Sequence, residues 1–286
     1  LIDSVRNMNV SKIELAEMMI GKSLPSPPPR STEKKQNKII ELKNVSSNNV
    51  DGRQLFKNIS FSLYGSEILG IAGVEGNGQK EVVESIIGIE KLESGEIFFN
   101  GEKINDKTTR ERLDSGISFI PEDRQLQAMI MDMNLTNNVI IGRQNIKKYK
   151  SKFATVKTKN AINESENIIS LFDVKTPGTN TLATALSGGN QQKFVVGREL
   201  EDDPSLLIAS QPTRGIDIGA QALIWEKLRE SRDNGLGVLL ISADLEELIG
   251  LSDRIVVFYQ GSLVTELSSD EVSPEDLGGY MTGLKK

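Results

Sequence analysis

Four short apolar runs between residues 68 and 241 constrain the fold of this chain more than any other feature. Each has four or five residues rich in Ile, Leu and Val, a pattern typical of strands buried on both faces of a parallel sheet. Helical patterns follow several runs, as a doubly wound sheet requires, so we predict an α/β fold. The runs are Ile68–Ala72, Ile117–Ile120, Leu206–Ala209 and Val238–Ile241, and the helical patterns are Val82–Ile87, Ala220–Glu230 and Leu245–Leu248.

Three further segments predict a second, antiparallel sheet, because they are short, apolar and partly β-branched or aromatic. Residues 134–173, in contrast, are polar and mostly helical in pattern, so we expect a helical subdomain there. The three strand segments are Ile39–Leu42, Ile59–Leu63 and Ile97–Phe99.

The composition excludes several kinds of site. The 286 residues include no cysteine and no histidine, which rules out disulfides, zinc sites built on thiolate or imidazole, and His-based triads. The net charge of −6 provides no overall basic field, so we expect no nucleic-acid partner. No run approaches the ~18 apolar residues that span a bilayer.

The first and last parts of the chain repeat a short helical pattern. Val, Ser, Leu, Met and Gly recur in Val10–Gly21 and Val272–Gly283 at one offset of 262 residues. The serine of each segment, Ser11 or Ser273, is suited to cap a helix, and Pro274 takes the first helical position of the second. Two unrelated capped helices are the alternative, but one offset shared by five identities favours duplication.

A duplication predicts that the chain holds the tail of one module and the whole of another, within a longer polypeptide. Between them the sequence is Pro-rich and then polar, which is typical of an extended linker. The predicted parts are 1–22, the C-terminal tail of a preceding module; 23–37, the linker; 38–270, the second module; and 271–286, a C-terminal helix.

Two glycine-containing segments are candidate phosphate sites. Gly73–Gly78 follows the first buried run and precedes a helix, and its glycines let backbone N–H groups cradle a phosphate. In Leu186–Lys193 (LSGGNQQK), Ser187 offers a hydroxyl, and Gly188 and Gly189 leave their N–H groups bare. We expect a helix that starts just after these glycines, with an N-terminus that attracts anions. A Gly-Gly turn before an ordinary helix is the alternative.

The segment LSGGNQQK resembles the signature motif of ABC-type ATPases, in the variant of the ATP-binding subunits of sugar and nucleoside importers. The likeness covers about residues 38–268 and is strongest to nucleoside-type importers, through Gly73–Gln79, Pro121–Arg124 and Gln211–Asp217. It departs at Gln125–Ala128, where relatives have basic residues and glycine. The resemblance implies a P-loop NTPase core with a parallel sheet, an antiparallel β subdomain and a helical subdomain, with ATP and Mg²⁺ as cofactors.

Several positions of the implied nucleotide site lack the residues that ATP hydrolysis needs. Gln79 stands at the P-loop lysine, which meets the β- and γ-phosphates, and Lys80 stands at the Ser or Thr that binds Mg²⁺. Ser210 and Gln211 occupy the positions of the Walker B Asp and Glu, and Ala243 that of the switch histidine. We therefore predict no intact catalytic residue and no metal site in this chain.

Weak nucleotide binding by the chain's own loop is still compatible with these losses. Glu122 replaces the usual Q-loop glutamine, and a carboxylate there can still bind metal or water. No aromatic residue lies between Glu41 and Leu55, where adenine is normally stacked, so we expect base stacking to be lost. The candidate ATP-binding residues are Gly73, Gly76, Gly78, Gln79, Lys80 and Glu122.

The resemblance also implies partners. ABC modules dimerise head to tail, and each ATP lies between the P-loop of one module and the signature of the other. We thus expect the first module of the same polypeptide to bind an ATP that contacts the signature of this chain, and Asp217, the D-loop acid, to reach that module. The expected signature contacts are Ser187, Gly188, Gly189 and Gln191.

Further expected partners are transmembrane permease subunits and, indirectly, a substrate-binding lipoprotein, with the chain peripheral to the cytoplasmic face of a bacterial membrane. The basic run of residues 147–152 predicts a solvated helix end, with a contact to lipid headgroups as the alternative. A soluble regulatory or translation-type tandem ABC protein without a membrane partner remains the alternative function.

Overall fold

The computed structural model describes residues 37–48, 51–144, 146–150 and 155–285. The first copy of the predicted repeat and nearly all of the predicted linker lie outside the described residues. The chain divides into two compact units. The smaller includes Met129–Gly197 and Thr213–Lys227, and the larger includes residues 37–128, Arg198–Pro212 and residues 228–285.

The strands and helices alternate in the order expected of an α/β protein. The strands are β1 (Lys38–Asn48), β2 (Gln54–Tyr64), β3 (Glu67–Ala72), β4 (Ser94–Phe99), β5 (Glu102–Lys103), β6 (Ile117–Ile120), β7 (Leu206–Ser210), β8 (Gly237–Ile241), β9 (Arg254–Tyr259) and β10 (Ser262–Ser268). The α-helices are α1 (Gln79–Ile87), α2 (Thr109–Asp114), α3 (Leu135–Asn138), α4 (Thr158–Leu171), α5 (Gly188–Leu200), α6 (Ile218–Asp233), α7 (Leu245–Leu251) and α8 (Pro274–Met281).

The larger unit contains both predicted sheets. One is antiparallel, in the order β2-β1-β4-β5, and it contains all three segments predicted for it. The other runs β10-β9-β3-β8-β7-β6, is parallel from β9 to β6, and contains the four apolar runs. Every residue of β3 is buried, and side chains from both sheets and from α1 form one apolar core. Burial on both faces explains why these runs are continuously apolar.

Helix α1 is held at its C-terminal end by a buried guanidinium. Gly88 ends the helix in a left-handed conformation with a φ of 83°. Arg112 Nη1 donates to the carbonyl oxygens of Ser85 and Ile86, at 2.6 and 2.9 Å. These two oxygens belong to the last turn of the helix, where carbonyls lack intrahelical partners. The cap fixes the helix that follows the glycine-rich loop.

The smaller unit contains α3, α4, the first part of α5 and most of α6. Helices α4 and α5 approach closely at Gly197, where a Cβ atom would lie 2.7 Å from both Ile168 and Phe172. The prediction of a helical subdomain is confirmed in part, because the described residues between α3 and α4 form turns and an isolated bridge from Lys150 to Val156. A helical sequence pattern depends only on residues a few positions apart, so it does not predict turns that tertiary packing favours.

The basic run of residues 147–152 was predicted to end a helix, and that prediction is wrong for the described part. Residues 147–149 form a turn, and Tyr149 within it is fully buried. Lys148 Nζ lies 2.5 Å from the carboxylate of Glu164, a buried residue of α4. The run therefore contributes to packing and pairing within this unit as well as to its surface.

The C-terminal helix α8 matches its prediction closely. The Ser273 side chain caps it, Asp276 completes the capping box, and Pro274 takes the first helical position. Hydrogen bonds from Lys285 and from Ser273 hold the pKa of the Asp276 carboxyl well below its usual range. Among the described helices, none combines the length and the apolar character needed to cross a membrane.

Candidate nucleotide site

The glycine-rich loop joins β3 to α1 and has the backbone shape expected from its glycines. Gly76 and Gly78 have φ angles of 86° and 100°, in the region that favours glycine. A Cβ atom on Gly78 would lie 3.0 Å from the carbonyl oxygen of Leu55. Asn77 anchors the loop, since its side-chain oxygen accepts a hydrogen bond from the backbone N–H of Gln260 at 2.8 Å. The loop is held against the turn between β9 and β10.

Gln79 turns its side chain into this loop. The residue is only 7% exposed, and its Nε2 donates to the carbonyl oxygen of Val74 at 3.2 Å. A Cβ atom on Gly73 would lie 2.0 Å from that Nε2, so the amide fills the space beside Gly73. A neutral amide bonded to the loop's own backbone provides no positive charge for phosphate.

The side chain of Lys80 lies along the surface of α1. Its side chain is 70% exposed, and its Nζ lies 3.8 Å from Glu84 Oε1, one turn along α1. Burial raises the pKa of the Glu84 carboxyl, and the nearby Lys80 opposes that rise. The expected ATP contact of Lys80 stays a prediction, and in this structure the ammonium is directed along the surface of α1.

The ends of β7 and β8 are joined by the side chain of Gln211. Gln211 has a left-handed φ of 50°, and its backbone N–H donates to the carbonyl oxygen of Ile241 at 2.7 Å. Its Oε1 accepts from the backbone N–H of Ala243 at 3.0 Å. Parallel strands place Ser210 and Ala243 at neighbouring strand ends, as the predicted site requires.

The donor set at these positions does not fit Mg²⁺. The ion prefers oxygen ligands that include carboxylates, whereas Ser210 and Gln211 are neutral and Lys80 is a cation. In the part of the chain that the structure describes, no group of three or more acidic side chains is arranged to hold a metal ion. These residues therefore do not provide the carboxylates that a Mg²⁺ ion would need here.

Glu122 is exposed and lies just beyond β6, before a π-helical turn of Arg124–Ala128. The turn is stabilised from both sides. Asp123 Oδ1 accepts hydrogen bonds from the backbone N–H groups of Gln125 and Leu126, each at 3.0 Å. Arg198 Nη1 donates to the carbonyl oxygen of Ala128 at 2.7 Å.

The signature segment forms a helix start in the smaller unit, with Ser187 exposed, Gly188 half-buried and Gly189 buried. Helix α5 begins at Gly188, so it includes both glycines, whereas the sequence predicted a start just after them. Ser187 is exposed immediately before it, and its Oγ accepts a hydrogen bond from Asn190 Nδ2 at 2.9 Å. The hydroxyl and the first N–H groups of a helix of 13 residues thus occur together.

Gln191 supports the start of α5 from the protein interior. The residue is 2% exposed, and its Nε2 donates to the carbonyl oxygens of Ala183 and Leu186, at 3.1 and 3.2 Å. Both partners lie in the segment that leads into α5. The expected contact of Gln191 with ATP stays a prediction, and in this structure its amide binds the buried backbone of that segment.

Asp217 lies beside the signature helix of its own chain, and its expected reach to the opposite module stays a prediction. Its Oδ1 accepts from the backbone N–H of Ala220 at 2.9 Å, in the first turn of α6. A Cβ atom on Gly189 would lie 3.0 Å from Asp217 Oδ2. The structure brings these two predicted residues into direct proximity, and it leaves the carboxylate exposed.

Sequence reasoning missed two amide contacts in this region. It did not anticipate the inward direction of Gln191 or the bridge that Asn190 forms between Ser187 and the backbone of Lys175. The only signal was the run of three amides after the glycines, which the motif explains without a role for each residue.

Comparisons with known proteins agree with this architecture. Residues 56–214 match the family described as ABC transporter. A solved nucleotide-free ATP-binding cassette from an ABC transporter has a TM-score of 0.71, with 20% identity, and covers 85% of this chain and 95% of its own. The dimeric cassette MJ0796 bound to ADP and Pi has a TM-score of 0.69 at 22% identity, over 80% of this chain and 98% of its own. The fold is that of a P-loop ABC ATPase with mixed sheets and a helical subdomain.

Curated relatives include import proteins for guanosine, nucleosides and ribose. The guanosine import ATP-binding protein NupO of Bacillus subtilis is 37% identical over 94% of this chain and 53% of its own length. The nucleoside import ATP-binding protein NupA of Lactococcus lactis is 33% identical over 99% of this chain and 56% of its own. The ribose import ATP-binding protein RbsA of Clostridium tetani is 36% identical over 98% and 54%. The chain thus spans about half the length of these relatives.

Proposed function

Because this chain belongs to the ABC transporter family, we propose that it is a nucleotide-binding module of an importer for nucleosides. Within that importer it supplies Ser187, Gly188 and Gly189 to an ATP held by a first module of the same polypeptide. The observation that carries the proposal is the exposed Ser187 directly before α5, which places its hydroxyl beside the first N–H groups of the helix. Such a terminus attracts anions.

The chain's own phosphate loop has a different role in this proposal. Gln79 binds the backbone of the loop and brings no cation, and Gln211 binds the backbone of Ala243 and brings no negative charge. Phosphoryl transfer depends on placed charges of both kinds, on phosphate oxygens and around the metal. The loop therefore contributes weak binding at most, and turnover takes place at the site that the signature completes.

The partners follow from the same arrangement. The repeat offset of 262 residues supports a preceding module in the same polypeptide. Permease subunits would provide the path across the bilayer, a lipoprotein would deliver the substrate to them, and the module would work at the cytoplasmic face. The names of relatives support nucleosides as the substrate, with simple sugars such as ribose as the second choice.

Uptake measurements test the substrate. Cells that carry the whole transport system should accumulate labelled nucleosides, and deletion of the segment that encodes this chain should abolish that uptake. Uptake of labelled ribose or glucose without any nucleoside uptake would contradict the nucleoside assignment.

Purification from solubilised membranes tests the partners. The chain, tagged within its natural polypeptide, should copurify with transmembrane subunits. Recovery from the soluble fraction alone, with no membrane subunit attached, would favour a regulatory or translation-type ABC protein instead.

A further inference from the structure

The side chain of Asn190 connects two parts of the signature region. Its Oδ1 accepts a hydrogen bond from the backbone N–H of Lys175 at 2.8 Å. Its Nδ2 donates to Ser187 Oγ at 2.9 Å. Asn190 therefore links Ser187, directly before α5, to Lys175, which lies fifteen positions before Asn190 in the chain.

The direction of this amide is determined by its partners. A backbone N–H only donates, so the group that faces Lys175 must be the amide oxygen. The NH₂ group then has to face Ser187, and the Ser187 oxygen has to accept. In the reversed orientation the NH₂ group would face the N–H of Lys175. Both groups are donors, so that hydrogen bond would be lost.

The bond from Asn190 in turn restricts the Ser187 hydroxyl. A hydroxyl has one hydrogen and two lone pairs, and one lone pair is occupied by Asn190. The hydroxyl hydrogen cannot point toward the NH₂ group, so it points elsewhere, and Ser187 is exposed to solvent. In the described part of the chain the hydroxyl donates to no other group. The hydrogen of the Ser187 hydroxyl is therefore available to a ligand at the start of α5.

We propose that Asn190 is a positioning residue that presents the Ser187 hydroxyl as a hydrogen-bond donor to a phosphate oxygen of the ATP bound by the first module. This inference rests on the proposed function, because it assigns a role within the composite site. Asn190 does not itself touch the phosphate. It acts through Ser187, and its effect depends on the presence of that hydroxyl.

Asn190→Asp separates this role from a packing role. The two side chains are nearly the same size, and a carboxylate oxygen can still accept from Lys175. The other oxygen can only accept, however, so the Ser187 hydroxyl reverses and donates to the new carboxylate instead of to ATP. A packing role predicts that Asn190→Ala is the more harmful change. The positioning role predicts that Asn190→Asp is.

The experiment measures the KM and kcat for MgATP in the assembled transporter with Asn190→Ala, Asn190→Asp, Ser187→Ala and both double variants. Loss of one hydrogen bond to a charged group predicts a drop in kcat/KM of about tenfold for Ser187→Ala. Asn190→Asp should match or exceed that loss, and Asn190→Ala should lose less. Once Ser187→Ala is present, neither change at position 190 should reduce kcat/KM further.

Thermal unfolding of every variant checks that the fold is retained. If Asn190→Asp lowers kcat/KM by the same factor when Ser187→Ala is present, the loss is caused by charge alone and the inference is overturned. If the losses in kcat/KM from Asn190→Ala and Ser187→Ala multiply in the double variant, the inference is also overturned. No effect of Ser187→Ala would instead contradict the proposed function. The two failures are thus distinguishable.

Discussion

The start of α5 and the loop before α1 both use side-chain amides, with opposite results. At α5, Asn190 binds Ser187 and the backbone of Lys175, Gln191 binds the buried backbone before the helix, and Ser187 stays exposed. At the loop, Gln79 bonds to Val74, and the buried amide lies inside the loop itself. Under the proposed function, the amides at α5 leave Ser187 accessible to an anion, whereas the amide of Gln79 binds only the loop that carries it.

The largest expected effect on ATP turnover comes from one substitution at the start of α5. Gly189→Asp introduces a side chain whose Cβ lies 3.0 Å from Asp217 Oδ2, and it adds negative charge where an ATP phosphate is expected. We predict that ATP turnover of the assembled transporter falls by about 100-fold or more, a loss typical of removing preorganised stabilisation.

Gly278→Asp is a matched control for this change. It makes the same substitution in another helix, where a Cβ atom would meet nothing within 4 Å. Turnover should stay near that of the unchanged protein. Comparable losses from both substitutions, or normal turnover with Gly189→Asp in a folded protein, would mean that the start of α5 has no special role.

The next effect concerns the support beneath the signature. Gln191→Leu keeps the volume of the side chain but leaves two carbonyl oxygens without their donor. We expect the free energy of unfolding to fall by about 2 kcal/mol, the usual cost of stranded buried polar groups. Chemical denaturation of the 286-residue chain measures it.

Gln192→Leu is the control for Gln191→Leu, because Gln192 is equally buried and its Nε2 has no hydrogen-bond partner among the described residues. Its replacement should leave stability unchanged or slightly raised, since no bond is lost. A loss equal to that of Gln191→Leu would show that burial alone, and not the two hydrogen bonds, sets the cost.

A smaller effect is expected in the phosphate loop and at the end of β7. Gln79→Ala and Gln211→Ala each remove one hydrogen bond and should lower the free energy of unfolding by about 1 kcal/mol. ATP turnover of the assembled transporter should change by less than about twofold, because these positions hold no catalytic charge. A Gln211→Ala loss as large as that of Gly189→Asp would mean that this second site hydrolyses ATP.

The smallest expected signal is the turnover of this chain by itself. The proposed function assigns this chain no P-loop lysine, Walker B acids or switch histidine, so it should release phosphate from MgATP far more slowly than about 1 s⁻¹, the low end of ordinary enzyme rates. A continuous phosphate-release assay measures this rate. Turnover near that value would show that the chain hydrolyses ATP at its own glycine-rich loop. It would then contradict the different roles proposed for that loop and for the start of α5.

The predicted elements follow from patterns that act over a few residues. The continuous apolar runs of β3, β7 and β8 predict strands buried on both faces, and Ser273 with Pro274 predicts the start of α8. Each of these signals is local, since it depends on the period of burial or on a cap one turn away. Local signals can be read from sequence, and these elements were confirmed.

The directions of the side chains in the candidate site were decided by tertiary structure. Gln211 bonds to Ala243, 32 positions along the chain, and Asn190 bonds to Lys175, 15 positions away, so no local pattern specifies either pair. Tyr149 is buried although its neighbours are basic, for the same reason. The sequence by itself determined the strands, the glycine-rich turns and the neutral side chains at positions 79 and 211. Only the packing of distant segments decided which amides face inward, because a hydrogen bond forms with whichever partner the fold brings within reach.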